Sequence, residues 1–156
     1  TAYNSPDLHQ IIKSKIEVHY MSYYRKWIPQ ENYYYAVENT GFEPNPDRRD
    51  GSYSKYAGID DKMEDLHFFM QYIKFGMGRA TWDAAQEIRT NKITREEGVA
   101  LVKKYDQEIP KTFLKDILEY LDISENHFWK VIEKHRNRNI WEKSLDGKWK
   151  LKVEIS

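Results

Sequence analysis

The sequence predicts a mainly α-helical domain of five or more helices with a small C-terminal β-hairpin. Two observations carry this. Between about residues 59 and 136, apolar residues recur at helical spacing with capping signals between the runs. Near the end, an Asp-Gly pair separates two Trp-containing stretches, one of which alternates apolar and polar residues.

The elements follow in chain order. Asn4-Ser5-Pro6 offers a polar cap and a proline for a first helix, with Leu8, Ile11, Ile12 and Ile16 as its stripe. From Val18 to Ile28 the residues are aromatic and β-branched, and period does not separate helix from extended chain. Gln30 to Asn39 reads as a short helix with Gly41 just past its end. Phe42 to Gly58, with Pro44, Pro46, Gly51 and Gly58, reads as a long loop, a feature often tied to function. Asp60 is placed as the cap of a helix with Leu66, Phe69, Met70 and Ile73 inward, ended by Gly76 and Gly78. A helix from Arg79 to Asn91 follows, with Ala80, Ala84, Ala85 and Ile88 inward. Thr94-Arg95-Glu96-Glu97 is a capping box that starts the next helix, which carries Leu101, Val102 and Tyr105. Pro110 is expected to open a helix with Leu114, Ile117, Leu118 and Leu121 inward. Ser124 caps another, with Ile123 and Phe128 as a hydrophobic staple.

Composition divides the chain into 1–58, aromatic-rich helix and loop; 59–136, a helical block; and 137–156, a tail with the hairpin, all within one compact domain. Nine of the twelve tyrosines lie at or before Tyr56, which sets the first part off from the second. The 156 residues carry 25 Lys+Arg against 25 Asp+Glu, and this neutral balance argues against a general nucleic-acid binder. No stretch approaches the roughly 20 apolar residues of a membrane span. The absence of cysteine removes disulfides, thiolate metal sites and cysteine nucleophiles, and fits a cytoplasmic location. The chain begins at Thr1 with no basic-then-apolar signal segment after it, and a piece of a longer protein is one expectation.

No nucleophilic triad, P-loop or dinucleotide fingerprint is present. The five histidines stand apart, without ligand spacing, so no metal site is expected. One stretch offers chemistry. A helix ends in Lys74, a Gly76-Met77-Gly78 turn follows, and the next helix opens with Arg79 and Thr81. Glycines admit close backbone approach, and a helix N-terminus with flanking cations suits an anion or phosphate. The same turn also reads as plain helix–helix packing, and Arg95 as a solvated surface charge.

Trp27 to Phe42, Lys55-Tyr56-Ala57-Gly58-Ile59-Asp60-Asp61-Lys62, Lys74 to Thr81 and Ile93 to Glu97 resemble segments of the N-acetyl sugar amidotransferase family (WbpG type), in the PP-loop ATP pyrophosphatase superfamily. The resemblance covers nearly the whole chain but only the family's C-terminal portion. The Ser-Gly-Gly-x-Asp-Ser loop that grips ATP on a Rossmann-like sheet, and the Cys-x-x-Cys pairs, have no counterpart here. The resemblance implies conversion of a sugar N-acetyl group to an acetamidino group in bacterial O-antigen or flagellar-glycan synthesis. ATP with Mg²⁺ would activate the amide of a nucleotide-linked N-acetyl sugar, and a glutaminase subunit with a cyclase-like subunit would supply ammonia. It implies phosphate or substrate contacts from Lys74, Gly76, Gly78, Arg79 and Thr81, with Lys55, Asp61 and Arg95 as further candidates. The other reading is a non-catalytic helical module that binds a partner protein or an anionic sugar nucleotide.

Overall fold

The structure is a computed structural model that describes residues 4–156; Tyr3 of the aromatic first part lies outside the described residues. Among them are eight helices and one two-stranded sheet. The helices are α1 (Leu8–Lys13), α2 (Met21–Tyr24), α3 (Pro29–Asn39), α4 (Glu64–Phe75), α5 (Arg79–Arg89), α6 (Arg95–Tyr105), α7 (Leu114–Leu121) and α8 (Glu125–His135). The strands β1 (Trp141–Lys143) and β2 (Trp149–Leu151) pair antiparallel, with Trp141 opposite Leu151 and Lys143 opposite Trp149. The mainly helical fold with a C-terminal hairpin is therefore as the periodicity implies.

The core is the stripe of α4 against the stripe of α8. Phe69, Ile73, Phe128 and Ile132 are buried together, and Leu66, Met70, Leu118 and Ile123 pack around them. Ser124 caps α8 by accepting the His127 N–H at 3.2 Å, and Ile123 closes over the same core from just before the cap. The capping box of α6 is complete: the Thr94 hydroxyl accepts from Glu97 N–H and the Glu97 carboxylate from Thr94 N–H. Helices α5 and α6 pack at small residues. Ala80 and Ala84 are buried, and a Cβ on Gly98 would come within 2.6 Å of Ile88 Cδ1. At Gly76, φ is +77° and its α-hydrogen faces the Leu151 side chain, so this glycine both ends α4 and admits the hairpin.

Several starts differ from expectation. The cap of α1 is Asp7, which accepts from His9 N–H, rather than Asn4 or Ser5. Helix α4 begins at Glu64 rather than after Asp60, because Asp61 closes a turn by accepting from Met63 N–H at 2.7 Å. Pro110 is buried in the connection before α7, which begins only at Leu114. The segment 18–28 resolves into the single turn of α2 between non-helical stretches. The tail contributes to the core: Trp141 is buried, and its indole N–H donates to the Ile73 carbonyl at 2.9 Å.

Candidate functional site

The loop before α4 is held by two arginines, Arg49 turned inward and Arg48 on the exposed side. Arg49 is buried, with its Nε 3.0 Å from Asp65 Oδ1; its other nitrogens donate to the carbonyls of Gly58 and Asp61. The guanidinium also lies over the Phe113 ring, 4.6 Å from its centre. Arg48 grips Glu108 through two hydrogen bonds of 2.7 and 2.8 Å and donates to the Ser52 carbonyl. These contacts give partners to the loop carbonyls of the buried Ser52, the half-buried Gly58 and the exposed Asp61. The loop therefore has one shape without any regular secondary structure of its own.

That shape delivers the loop to the start of α5. The Gly51 carbonyl accepts from Ala80 N–H, and the buried Ser52 hydroxyl donates to Asp83 Oδ2 at 3.1 Å. Arg79 binds Asp83 on its own helix at 3.0 Å and Glu64 on α4 at 3.0 Å, with its guanidinium over Phe68. Tyr53, Tyr56 and Glu87 surround the same point. Burial raises the Tyr53 and Tyr56 phenols, Tyr56 to about 12, and the nearby carboxylates of Asp83 and Glu87 push in the same direction. Burial also raises Asp83 and Glu87 above the ordinary carboxylate range, against the opposing pull of Arg79 on Asp83 and of Tyr53 on Glu87. A small cavity of about 60 Å³ opens here between the start of α3 and the face of α5.

The Gly76–Gly78 turn has a different tenant from the one its sequence suggests. Asp106, buried at the end of α6, accepts from Gly78 N–H at 2.8 Å, from Thr81 N–H at 3.0 Å and from the Thr81 hydroxyl at 2.6 Å. A Cβ on Gly78 would stand 2.9 Å from Asp106 Oδ1, so only glycine leaves room for this carboxylate. The positive end of α5 is thus neutralised from within the chain. A groove of about 430 Å³ runs beside it, between α6 and the hairpin, floored by Val102, Trp141 and Leu151.

The residues singled out from sequence fall into separate places. Gly76, Gly78, Arg79 and Thr81 gather at the α4–α5 junction, and Lys74 lies one turn before it without an ion pair among the described residues. Lys55 donates to the Pro46 carbonyl at 2.6 Å on the exposed side of the loop. Asp61 caps the turn before α4. Arg95 donates to the Ser156 carbonyl, at the opposite end of α6 from Asp106. The residues that sequence reasoning missed are Arg49, Asp65, Asp83 and Asp106. For Asp83 a signal was present, its position four residues after Arg79. Nothing in the sequence pairs position 106 with a helix that starts 27 residues earlier.

The arrangement tests poorly as a nucleotide site. The α5 N-terminus already holds a carboxylate, Arg79 is shared by two more, and no group of three or more potential metal ligands exists among the described residues. Nor is any described helix long and apolar enough to cross a membrane. No curated protein matches the chain. A family model does match, over residues 50–155, which takes in the loop from Asp50 onward, the α4–α5 junction, the core and the hairpin. Since that span is well over half of the chain, the protein belongs to the family described as LPS biosynthesis protein WbpG-like, C-terminal domain.

Proposed function

We propose that this chain is the C-terminal region of an ATP-dependent amidotransferase that converts a sugar N-acetyl group to an acetamidino group during lipopolysaccharide O-antigen or flagellar-glycan synthesis. The observation that carries the reading is the match over residues 50–155 to a lipopolysaccharide-biosynthesis family. In this proposal ATP and Mg²⁺ are held outside the present chain, because its α4–α5 junction offers no free anion corner. In this proposal Lys74 and Lys55, two cations without a carboxylate partner among the described residues, contact an anionic sugar nucleotide from separate points of the surface. Arg79 acts as a positioning residue, holding α4, α5 and Ser52's neighbour Asp83 in register. Ammonia comes from a glutaminase subunit with a cyclase-like subunit, in the cytoplasm.

The test uses the complete protein with ATP, Mg²⁺, a nucleotide-linked N-acetyl sugar and ammonium in place of the partner subunits. The expected result is AMP and pyrophosphate in step with a product whose amide oxygen has been replaced by nitrogen. Lys74→Ala should raise KM for the sugar nucleotide roughly tenfold, the size of one lost charge-assisted contact. No AMP formed with any N-acetyl sugar nucleotide would sink the reading.

A specific observation favours a second reading for the chain alone. Arg49, Arg79 and the start of α5 are satisfied internally, as suits a non-catalytic helical module that binds a partner or an anionic sugar nucleotide. The reading frame upstream of Thr1 discriminates: an encoded Ser-Gly-Gly-x-Asp-Ser loop after an apolar strand selects the enzyme.

A further inference from the structure

The matched family begins at residue 50, and the chain ahead of it has an unusual surface. None of α1, α2 and α3 contains a buried residue. Between residues 4 and 27 every side chain is exposed except the half-buried Ile11. Yet this is apolar sequence. Leu8, Ile12 and Ile16 are each more than 60% exposed, and Tyr20, Met21 and Tyr23 at least 70%. Such a run is too apolar to be a solvated disordered tail, and it far exceeds the scattered exposed residues of an ordinary surface. The segment also has local order: Asp7 caps α1, and His19 stacks on Tyr24. The helix that follows it, α3, is anchored to the body, where Tyr33 stacks on Tyr56 at 4.7 Å and Lys92 pairs with Glu31.

We infer that residues 8–27 form the seam against the domain that precedes this one in the same polypeptide. The inference rests on the proposed function, which places an N-terminal nucleotide domain ahead of this region. Two observations choose that occupant. The family is by its own description a C-terminal domain, and the uncovered segment lies on the N-terminal side of the matched span, separated from it by α3 and the first part of the loop. The segment also carries Lys13, Lys15, Arg25 and Lys26 against Glu17 alone, so the opposing face is apolar with an acidic rim. The segment then acts as a clasp: α3, which follows it, is tied through Tyr33 to Tyr56 in the loop before α4 and through Glu31 to Lys92 in the turn between α5 and α6, and the segment's apolar length is buried by the neighbour.

Hydrogen exchange on the complete protein tests this. Amides of residues 8–24 should exchange at least about tenfold more slowly than in an open peptide, since a covered segment opens only by local unfolding. The double variant Ile12→Asp with Tyr23→Asp should lose that protection and also deprotect one patch of the preceding domain, while α4 and α8 stay protected. Open-peptide rates at 8–24 in the wild type would overturn the inference. So would protection that disappears on dilution together with a two-chain mass by light scattering, which assigns the face to a second copy. Loss of protection confined to residues 29–156 in the double variant, or a gene that encodes no preceding domain, would overturn it too. Turnover separates the two proposals: protection without amidine product keeps the seam and sinks the reaction, and product with an unprotected arm does the reverse.

Discussion

Asp106 shows how one side chain can settle a local structure. It accepts three hydrogen bonds at the start of α5, from a helix that ends beside it. Two of those donors are backbone N–H groups that have no partner within the helix. Asp106→Ala leaves them buried and unsatisfied, and should cost about 2–4 kcal/mol, a charged cap plus the desolvation of its donors. Urea denaturation reads this directly; a loss under about 0.5 kcal/mol would mean that water replaces the carboxylate freely. The residues at this junction were legible in the sequence, since Gly76, Gly78, Arg79 and Thr81 do gather there. Their partners were not. A long-range carboxylate leaves no trace in spacing, whereas the Thr94–Glu97 box does, because its two halves are three residues apart.

The elements that were read well are those whose signal is local and repeated. Helix α4 presents Phe69 and Ile73 to α8, which answers with Phe128 and Ile132. Phe69 is 7% exposed, so Phe69→Ala should cost about 3–5 kcal/mol by removing a ring from a packed seam. A cost below about 1 kcal/mol would show the seam collapsing around the vacancy. Helix starts were read less well where a turn intervened. Asp61 closes a turn three residues before α4, and Pro110 belongs to the approach to α7. In both cases a residue that suits a helix start serves the connection instead, because the loop's own polar groups compete for it. The hairpin was foreseen from Asp146-Gly147, but the burial of Trp141 against α4 was not. An exposed-looking tail gives no periodic sign that one of its tryptophans closes the core.

For the whole molecule, the charged groups around Asp83 set a pH dependence. Asp83 and Glu87 both titrate above the ordinary carboxylate range in the folded protein, chiefly through burial. In the window just above that range the folded state holds protons that the unfolded chain has lost. Stability from these groups is therefore greatest at acid pH and falls as pH rises through their raised values. Glu133 behaves oppositely: its two arginine partners lower it, and its contribution disappears only on acidification below the ordinary range. The urea midpoint of the chain should accordingly rise on going from neutral pH towards the ordinary carboxylate range. Glu87→Gln should flatten that rise by removing one of three raised carboxylates, the third being the buried Asp65. An unchanged slope in the variant would show Glu87 titrating normally.

The carboxylate at the start of α5 has a chemical consequence beyond stability. The chain carries its own counter-ion there, so bath anions find no vacancy and sulfate or phosphate has nothing to gain at that corner. Shortening Asp106 to glycine would open a carboxylate-sized gap facing two N–H groups and a hydroxyl. Formate has the size and charge of the missing group. It should rescue that variant in a saturable way, while leaving the parent chain indifferent, and so turn a structural residue into a receptor for a small guest.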